Sequence, residues 1–180
     1  GGSGGDNPVW DNLSFGFSGP PPVSASISNT TNPSCNGGNN GTATVDATGG
    51  NPPYTYLWTG GQTTQTAINL AAGTYTATVT ASGGSGTATA STTLTQPPVL
   101  TLSTSVMGTV TCINTATATA TAGGGTPGYS YLWSDGQTTN IATFNQIGTY
   151  SVVATDANGC TKAATVNITG NTTPPTASAG

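Results

Sequence analysis

The side chains able to do chemistry at neutral pH are few enough to name in full. Asp6, Asp11, Asp46, Asp135 and Asp156 are the only carboxylates, Lys162 is the only cationic side chain, and the 180 residues contain no Glu, Arg or His. General acid–base catalysis near pH 7 draws on His, a tuned Glu or Lys, or a carboxylate pair, and a hydroxyl or thiol nucleophile needs a base beside it. No two Asp share a motif, so the inventory predicts a protein that is not an enzyme, with no catalytic, cofactor-binding or metal-ligating residue to assign. A net charge of −4 with one Lys also argues against nucleic-acid partners, whose phosphates must be neutralised by Lys and Arg. No apolar run reaches the roughly 18–20 residues that a membrane-spanning helix requires.

Three other groups of residues invite a chemical reading. Asp156-x-Asn158-Gly159 offers carboxylate and amide oxygens of the kind that suit calcium, but Asn-Gly is itself a turn signal, and a turn is the favoured reading. The rows Tyr54, Tyr56, Trp58 and Tyr129, Tyr131, Trp133 could form sugar-stacking platforms. Core packing is favoured for them, because a chain this poor in Leu and Ile has few other bulky residues to bury. Three cysteines, Cys35, Cys112 and Cys160, leave one over in any pairing within the chain.

The elements that must position these groups are strands. A charged content of 3% with abundant Gly, Ser, Thr and Asn would suit disorder, yet apolar residues alternate with Thr at Ala43, Val45, Ala47 and at Tyr75, Ala77, Val79. That two-residue period belongs to half-buried strands, with Thr as a favourable outward-facing residue. The pattern also repeats. Tyr54-Thr55-Tyr56-Leu57-Trp58 returns as Tyr129-Ser130-Tyr131-Leu132-Trp133, and Gly73-Thr74-Tyr75 returns as Gly148-Thr149-Tyr150, both after 75 residues. Pro21-Pro22-Val23 returns as Pro97-Pro98-Val99. The expected division is a terminal or donor strand over 1–20, one sandwich repeat over 21–96, a second over 97–173 and the start of a further repeat over 174–180.

In the second repeat the pattern predicts strands near 99–106, 114–122, 129–133, 138–144, 149–155 and 163–169, with no helices. Residues two apart share a strand face, so each Tyr-Tyr-Trp row points one way, and Tyr75 and Tyr150 complete the expected core aromatics. The Trp position resembles the strand-C Trp of immunoglobulin-like sandwiches, and Leu70-x-x-Gly73-x-Tyr75 resembles a tyrosine corner. The residues Trp10, Leu13, Phe15 and Phe17 read as the last strand of a preceding repeat, or as a strand donated to a neighbouring subunit. With no initiator Met or signal segment, the chain reads as a mature or excised piece of a longer array.

The order Cys112, Tyr129-x-Tyr131-x-Trp133, Asp135-Gly136-Gln137-Thr138-Thr139, Gly148-x-Tyr150 and Asp156-Ala157-Asn158-Gly159-Cys160 resembles the SprB-type repeat of gliding-motility adhesins in Bacteroidota, a PKD- and immunoglobulin-like family. The resemblance covers 21–173. The first repeat departs from it, with Thr80-Ala81-Ser82-Gly83-Gly84-Ser85-Gly86 where the second has Asp156 to Cys160. It implies an all-β tandem sandwich protein, exported by the type IX system, that forms an extracellular, cell-surface filament or adhesin stalk. The implied partners are copies of itself or adjacent repeats, and surface polysaccharide. An accessory polysaccharide-binding module is the alternative. The family pattern pairs Cys112 with Cys160, provided the loops that carry them meet at one end of the sandwich. Cys35, at the place matching Cys112, then has no local partner and reads as a reduced thiol or an intermolecular cross-link.

Overall fold

A computed structural model describes residues 19–171. The segment with Trp10, Leu13, Phe15 and Phe17, and the stretch 174–180, lie outside the described residues. Within them every regular element except one turn is a strand. The first half contains β1 (Ser24–Thr31), β2 (Gly41–Thr48), β3 (Tyr54–Trp58), β4 (Thr66–Leu70), β5 (Gly73–Ala81) and β6 (Thr87–Leu94), with a single 3-10 turn at Ser82–Gly84. The second half contains β7 (Thr101–Met107), β8 (Val110–Thr111), β9 (Ala116–Gly123), β10 (Ser130–Trp133), β11 (Ile141–Phe144), β12 (Gly148–Thr155), β13 (Thr161–Ile168) and β14 (Gly170–Asn171).

The strands pair into two matched sets of antiparallel sheets. The orders β1-β2-β4 and β3-β5-β6 in the first half recur as β7-β9-β11 and β10-β12-β13 in the second. The second half adds a two-residue parallel pair, β8 with β14, in which Val110 faces Gly170 and Thr111 faces Asn171. Each half closes over its own core, drawn from both of its main sheets. In the first, Ala43 and Val45 of β2 and Ala67 and Leu70 of β4 meet Trp58 of β3, Ala77 and Val79 of β5 and Leu94 of β6. In the second, Ala116, Ala118, Ala120, Ala142 and Phe144 meet Trp133, Val152, Val166 and Ile168.

Alternation explains why so little apolar sequence suffices. Strand β9 is Ala-Thr-Ala-Thr-Ala-Thr-Ala-Gly, and its Ala116, Ala118 and Ala120 are buried while the intervening Thr look outward. Small alanines let the sheets approach, and the remaining space is filled by one indole per half. Trp58 and Trp133 are each 2% exposed. Phe144 meets the ring of Tyr150 at 4.1 Å with the planes tilted by 39°, and meets Trp133 edge-on at 5.6 Å.

The repeated motif is also a hydrogen-bonding scaffold. The indole N–H of Trp58 donates to the carbonyl of Thr64, and that of Trp133 to Thr139, both at 2.9 Å. Gln62 and Gln137 each use both ends of the side-chain amide on the next strand: Gln62 on Ile68, Gln137 on Thr143. Tyr75 donates to the carbonyl of Ala71, and Tyr150 to that of Gln146, closing the turn before β5 and β12. Tyr54 and Tyr129 donate to the carbonyls of Gly49 and Gly124 at 2.6 Å. The residues that recur every 75 positions therefore pin loops to strands. β11 begins at Ile141 rather than 138, because Gln137 and Thr139 are spent on that bracing.

Candidate functional site: a clamp between the two halves

The chemistry that the structure assembles lies where one half meets the other. The loop from Asn32 to Asn40 follows β1 at one end of the first sandwich, and the turn from Asp156 to Cys160 joins β12 to β13 at the facing end of the second. They are joined covalently: Cys35 and Cys160 form a disulfide across 125 residues, with Cα atoms 5.8 Å apart. This corrects the pairing of Cys112 with Cys160 and the reading of Cys35 as a reduced thiol.

The physical reason is strand direction. Cys112 follows β8, which pairs with β14 beyond the far end of β13, whereas Cys160 precedes the near end of that eight-residue strand. At about 3.3 Å per residue the strand alone separates them by roughly 25 Å. A disulfide tolerates no more than about 7 Å between Cα atoms. Cys112 is exposed at the opposite end of the second sandwich.

Asp156 shapes the turn that presents Cys160. Its carboxylate is 4% exposed and accepts three backbone N–H groups: Thr126 on one oxygen, Asn158 and Cys160 on the other, each at 2.9 Å. The N–H of Thr126, first among these donors, holds the carboxyl below the ordinary aspartate range against the opposing effect of burial; Cys160, Asn158 and Gly159 act in the same direction. Gly125 makes room for the carboxylate. Its φ is +56°, and a β-carbon there would stand 2.5 Å from an Asp156 oxygen. The sequence Asp156-x-Asn158-Gly159 is thus a turn whose acid is filled by its own amides. Among the described residues no group of three or more His, Cys, Asp or Glu is placed to hold a metal.

Further bonds seat the loop on the turn and on the connecting segment. The Asn158 amide donates to the carbonyl of Ser34 in the first half and to the hydroxyl of Thr126 in the second, at 3.0 and 2.9 Å. Asn36 donates to the carbonyl of Pro97, and the N–H of Gly37 donates to the side-chain oxygen of Gln96 at 2.7 Å. Pro33 is fully buried. A groove of about 470 Å³ remains beside the disulfide, between Pro98–Leu100 and the start of β13 at Thr161 and Lys162. It contains no acid–base pair beyond the saturated Asp156 and the exposed Lys162.

The aromatic residues lie elsewhere. Trp58 and Trp133 are inside their cores, with Tyr54, Tyr56 and Tyr75 packed against the first and Tyr131 and Tyr150 against the second. Tyr129 is half-buried, tied to Gly124, and stands outside the second core. Sequence reasoning missed the clamp. The available signal was that Cys35 and Cys112 hold matching places while only one repeat carries the Asp-x-Asn-Gly-Cys turn.

The SprB repeat family model matches the chain twice, over residues 27–63 and 109–138. Each match runs from around the first cysteine loop through the Tyr-x-Tyr-x-Trp strand. No curated protein sequence matches the chain. Among solved structures, three N-terminal domains of the bacteriophage RB49 outer capsid protein Hoc align at 20% identity and a TM-score of 0.49, over 82% of this chain and 59% of that one. The N-terminal eight immunoglobulin domains of Down syndrome cell adhesion molecule align at 17% identity and a TM-score of 0.46, over 85% and 24%. The chain therefore spans about three fifths and one quarter of the lengths of these two.

Proposed function

We propose that this chain is a stretch of an extracellular structural and adhesive repeat protein, the stalk of a bacterial surface filament or adhesin, in which each repeat is clamped to the next. The observation that carries the reading is the disulfide between Cys35 and Cys160, which joins two separately cored sandwiches. A bridge inside one sandwich would serve the stability of that sandwich. A bridge between two serves their relative placement, and it provides a path for tension. Pulled from outside, the chain passes force from β1 through Cys35 directly to Cys160 and β13, so the strands between bear none of it covalently. Disulfides of this kind persist in oxidising compartments, which supports an extracellular location.

The composition supports the same reading. With one Lys and five Asp the chain has almost nothing with which to catalyse, and its outward strand faces are largely Thr and Ser. The SprB repeat matches extend the proposal to a surface protein of Bacteroidota exported by the type IX route, with adjacent repeats as its first partners. Binding of surface polysaccharide through stacked rings has less support, because the hydroxyls of Tyr54, Tyr75, Tyr129 and Tyr150 and the indole N–H groups of Trp58 and Trp133 are bonded to backbone carbonyls of their own sandwich.

The test is antibody labelling of intact producing cells, imaged by electron microscopy. Label along surface fibres with a regular beaded repeat is expected; label that appears only after the cells are lysed contradicts the proposal.

A further inference from the structure

Every Asn-Gly step in the sequence falls in the clamp: Asn36-Gly37, Asn40-Gly41 and Asn158-Gly159. Asn before Gly is the step most prone to cyclise, because a residue without a β-carbon lets its backbone nitrogen reach the preceding side-chain carbonyl. Two of these steps stand in open space. A β-carbon built on Gly37 or Gly159 meets nothing within 4 Å, and Asn36, Gly37, Asn158 and Gly159 are all exposed. The other is walled in: Gly41 is buried opposite Leu70 in its sheet, and a β-carbon there would stand 2.7 Å from the Leu70 carbonyl oxygen.

What restrains the two open steps is the junction. The Asn158 amide donates across it to Ser34, and the Asn36 amide donates to Pro97 of the connection. The attacking nitrogens are engaged as well: the N–H of Gly37 donates to Gln96, and that of Gly159 to the carbonyl of Asp156. Asn40 is instead held inside its own loop, accepting from the Ser34 N–H and donating to the Ser34 hydroxyl. Opening the junction therefore frees Asn36 and Gly37, leaves the Asn158 amide with the Thr126 hydroxyl alone, and does not touch Asn40.

We infer that Asn36 and Asn158 are deamidation sites guarded by the bridge between Cys35 and Cys160, and that reaction at either one makes opening of the junction permanent. Opening starts with reduction: an external dithiol gives up two electrons and two protons and leaves as its disulfide, and Cys35 and Cys160 become thiols. At each freed step the glycine nitrogen loses its proton and bonds to the asparagine Cγ. The bond from Cγ to the side-chain nitrogen breaks, and ammonia leaves with that proton. Water then opens the cyclic imide, giving Asp or, through the other carbonyl, a β-linked Asp whose backbone is one carbon longer. An ionised carboxylate only accepts hydrogen bonds, so at position 158 it faces the Ser34 carbonyl and at position 36 the Pro97 carbonyl, acceptor against acceptor. This chemistry needs the junction alone and is independent of where the chain is displayed.

The test is prolonged warm incubation at neutral pH of the oxidised protein, the protein kept reduced with dithiothreitol, and the C35S/C160S variant. Samples are digested with pepsin at acid pH, and the conversion of each Asn is read by mass spectrometry. Trypsin is unsuited, because Lys162 is the only site it would cleave. Both open forms should deamidate faster than the oxidised protein at Asn36 and Asn158, by about fivefold for each ordinary hydrogen bond lost, while Asn40 changes little. When the aged reduced protein is reoxidised, the chains that re-form the bridge should be depleted in Asp at 36 and 158. Equal rates in all three samples, or a rise at Asn40 as large as at the other two, would overturn the guarding role. Deamidated chains that re-form the bridge as readily as intact ones would overturn the permanence. Labelling of intact cells is unaffected by either result, so failure here and failure of the surface reading are told apart.

Discussion

Cys35 and Cys160 stand 125 residues apart in sequence and 5.8 Å apart at their Cα atoms, in two sandwiches that each possess a complete core. Because neither core needs the other, the bond's main effect is on geometry. It removes the hinge that a short connection between two small domains would otherwise leave, and the hydrogen bonds of Asn158, Asn36 and Gly37 act at the same place.

Removing the bond should loosen the junction without unfolding either half. In the C35S/C160S double variant, near-native circular dichroism is expected together with a broadened distance distribution in small-angle scattering. A distribution unchanged from the oxidised protein would show that the hydrogen bonds alone hold the junction.

Trp133 fills the space left by the alanines of β9, so its truncation should be felt throughout the second sandwich. Trp133→Ala should cost about 3–5 kcal/mol. For a domain of this size that lowers the melting midpoint by roughly 10 °C or more. Calorimetry of the full chain should show the loss in one transition, with the transition containing Trp58 little changed.

Asp156 makes the clamp sensitive to acid. Its folded pKa is depressed, so the stability it contributes is complete above the ordinary aspartate value of about 4 and is lost as pH falls through the lower folded value. Asp156→Asn turns an amide N–H₂ toward backbone donors. The variant should melt below the native protein at pH 7, and the difference should shrink as the pH falls below 4. A difference independent of pH would place the effect in packing instead.

Gly125→Ala tests the space around that carboxylate. A side chain there must adopt φ near +56° and meets the Asp156 oxygen, so a loss of about 1–3 kcal/mol is expected by chemical denaturation. An unchanged midpoint would mean that the turn relaxes freely.

Much of the fold was legible because Thr alternates with Ala or Val along β2, β5 and β9, and a period of two specifies both the strand and its buried face. Tyr131 and Trp133 were legible for the same reason, whereas Tyr129 of the same row stands outside the second core, and Asp156-x-Asn158-Gly159 could be read as a turn from residue type alone. Two features were not. The β8 with β14 pair is two residues long, too short to show any period. The partner of Cys160 depends on which ends of two sandwiches face each other, and matching residues within one repeat cannot reveal that. Family spacing therefore pointed to Cys112, which the length of β13 places out of reach.

The central claim is that tension bypasses most of the chain through one bond, and single-molecule stretching from the two termini tests it most directly. Unfolding the oxidised protein should release only the chain outside the bridge, and adding a reductant should release a further contour of about 430 Å, the extended length of the 125 bridged residues. Release of the full contour without reductant would contradict the account.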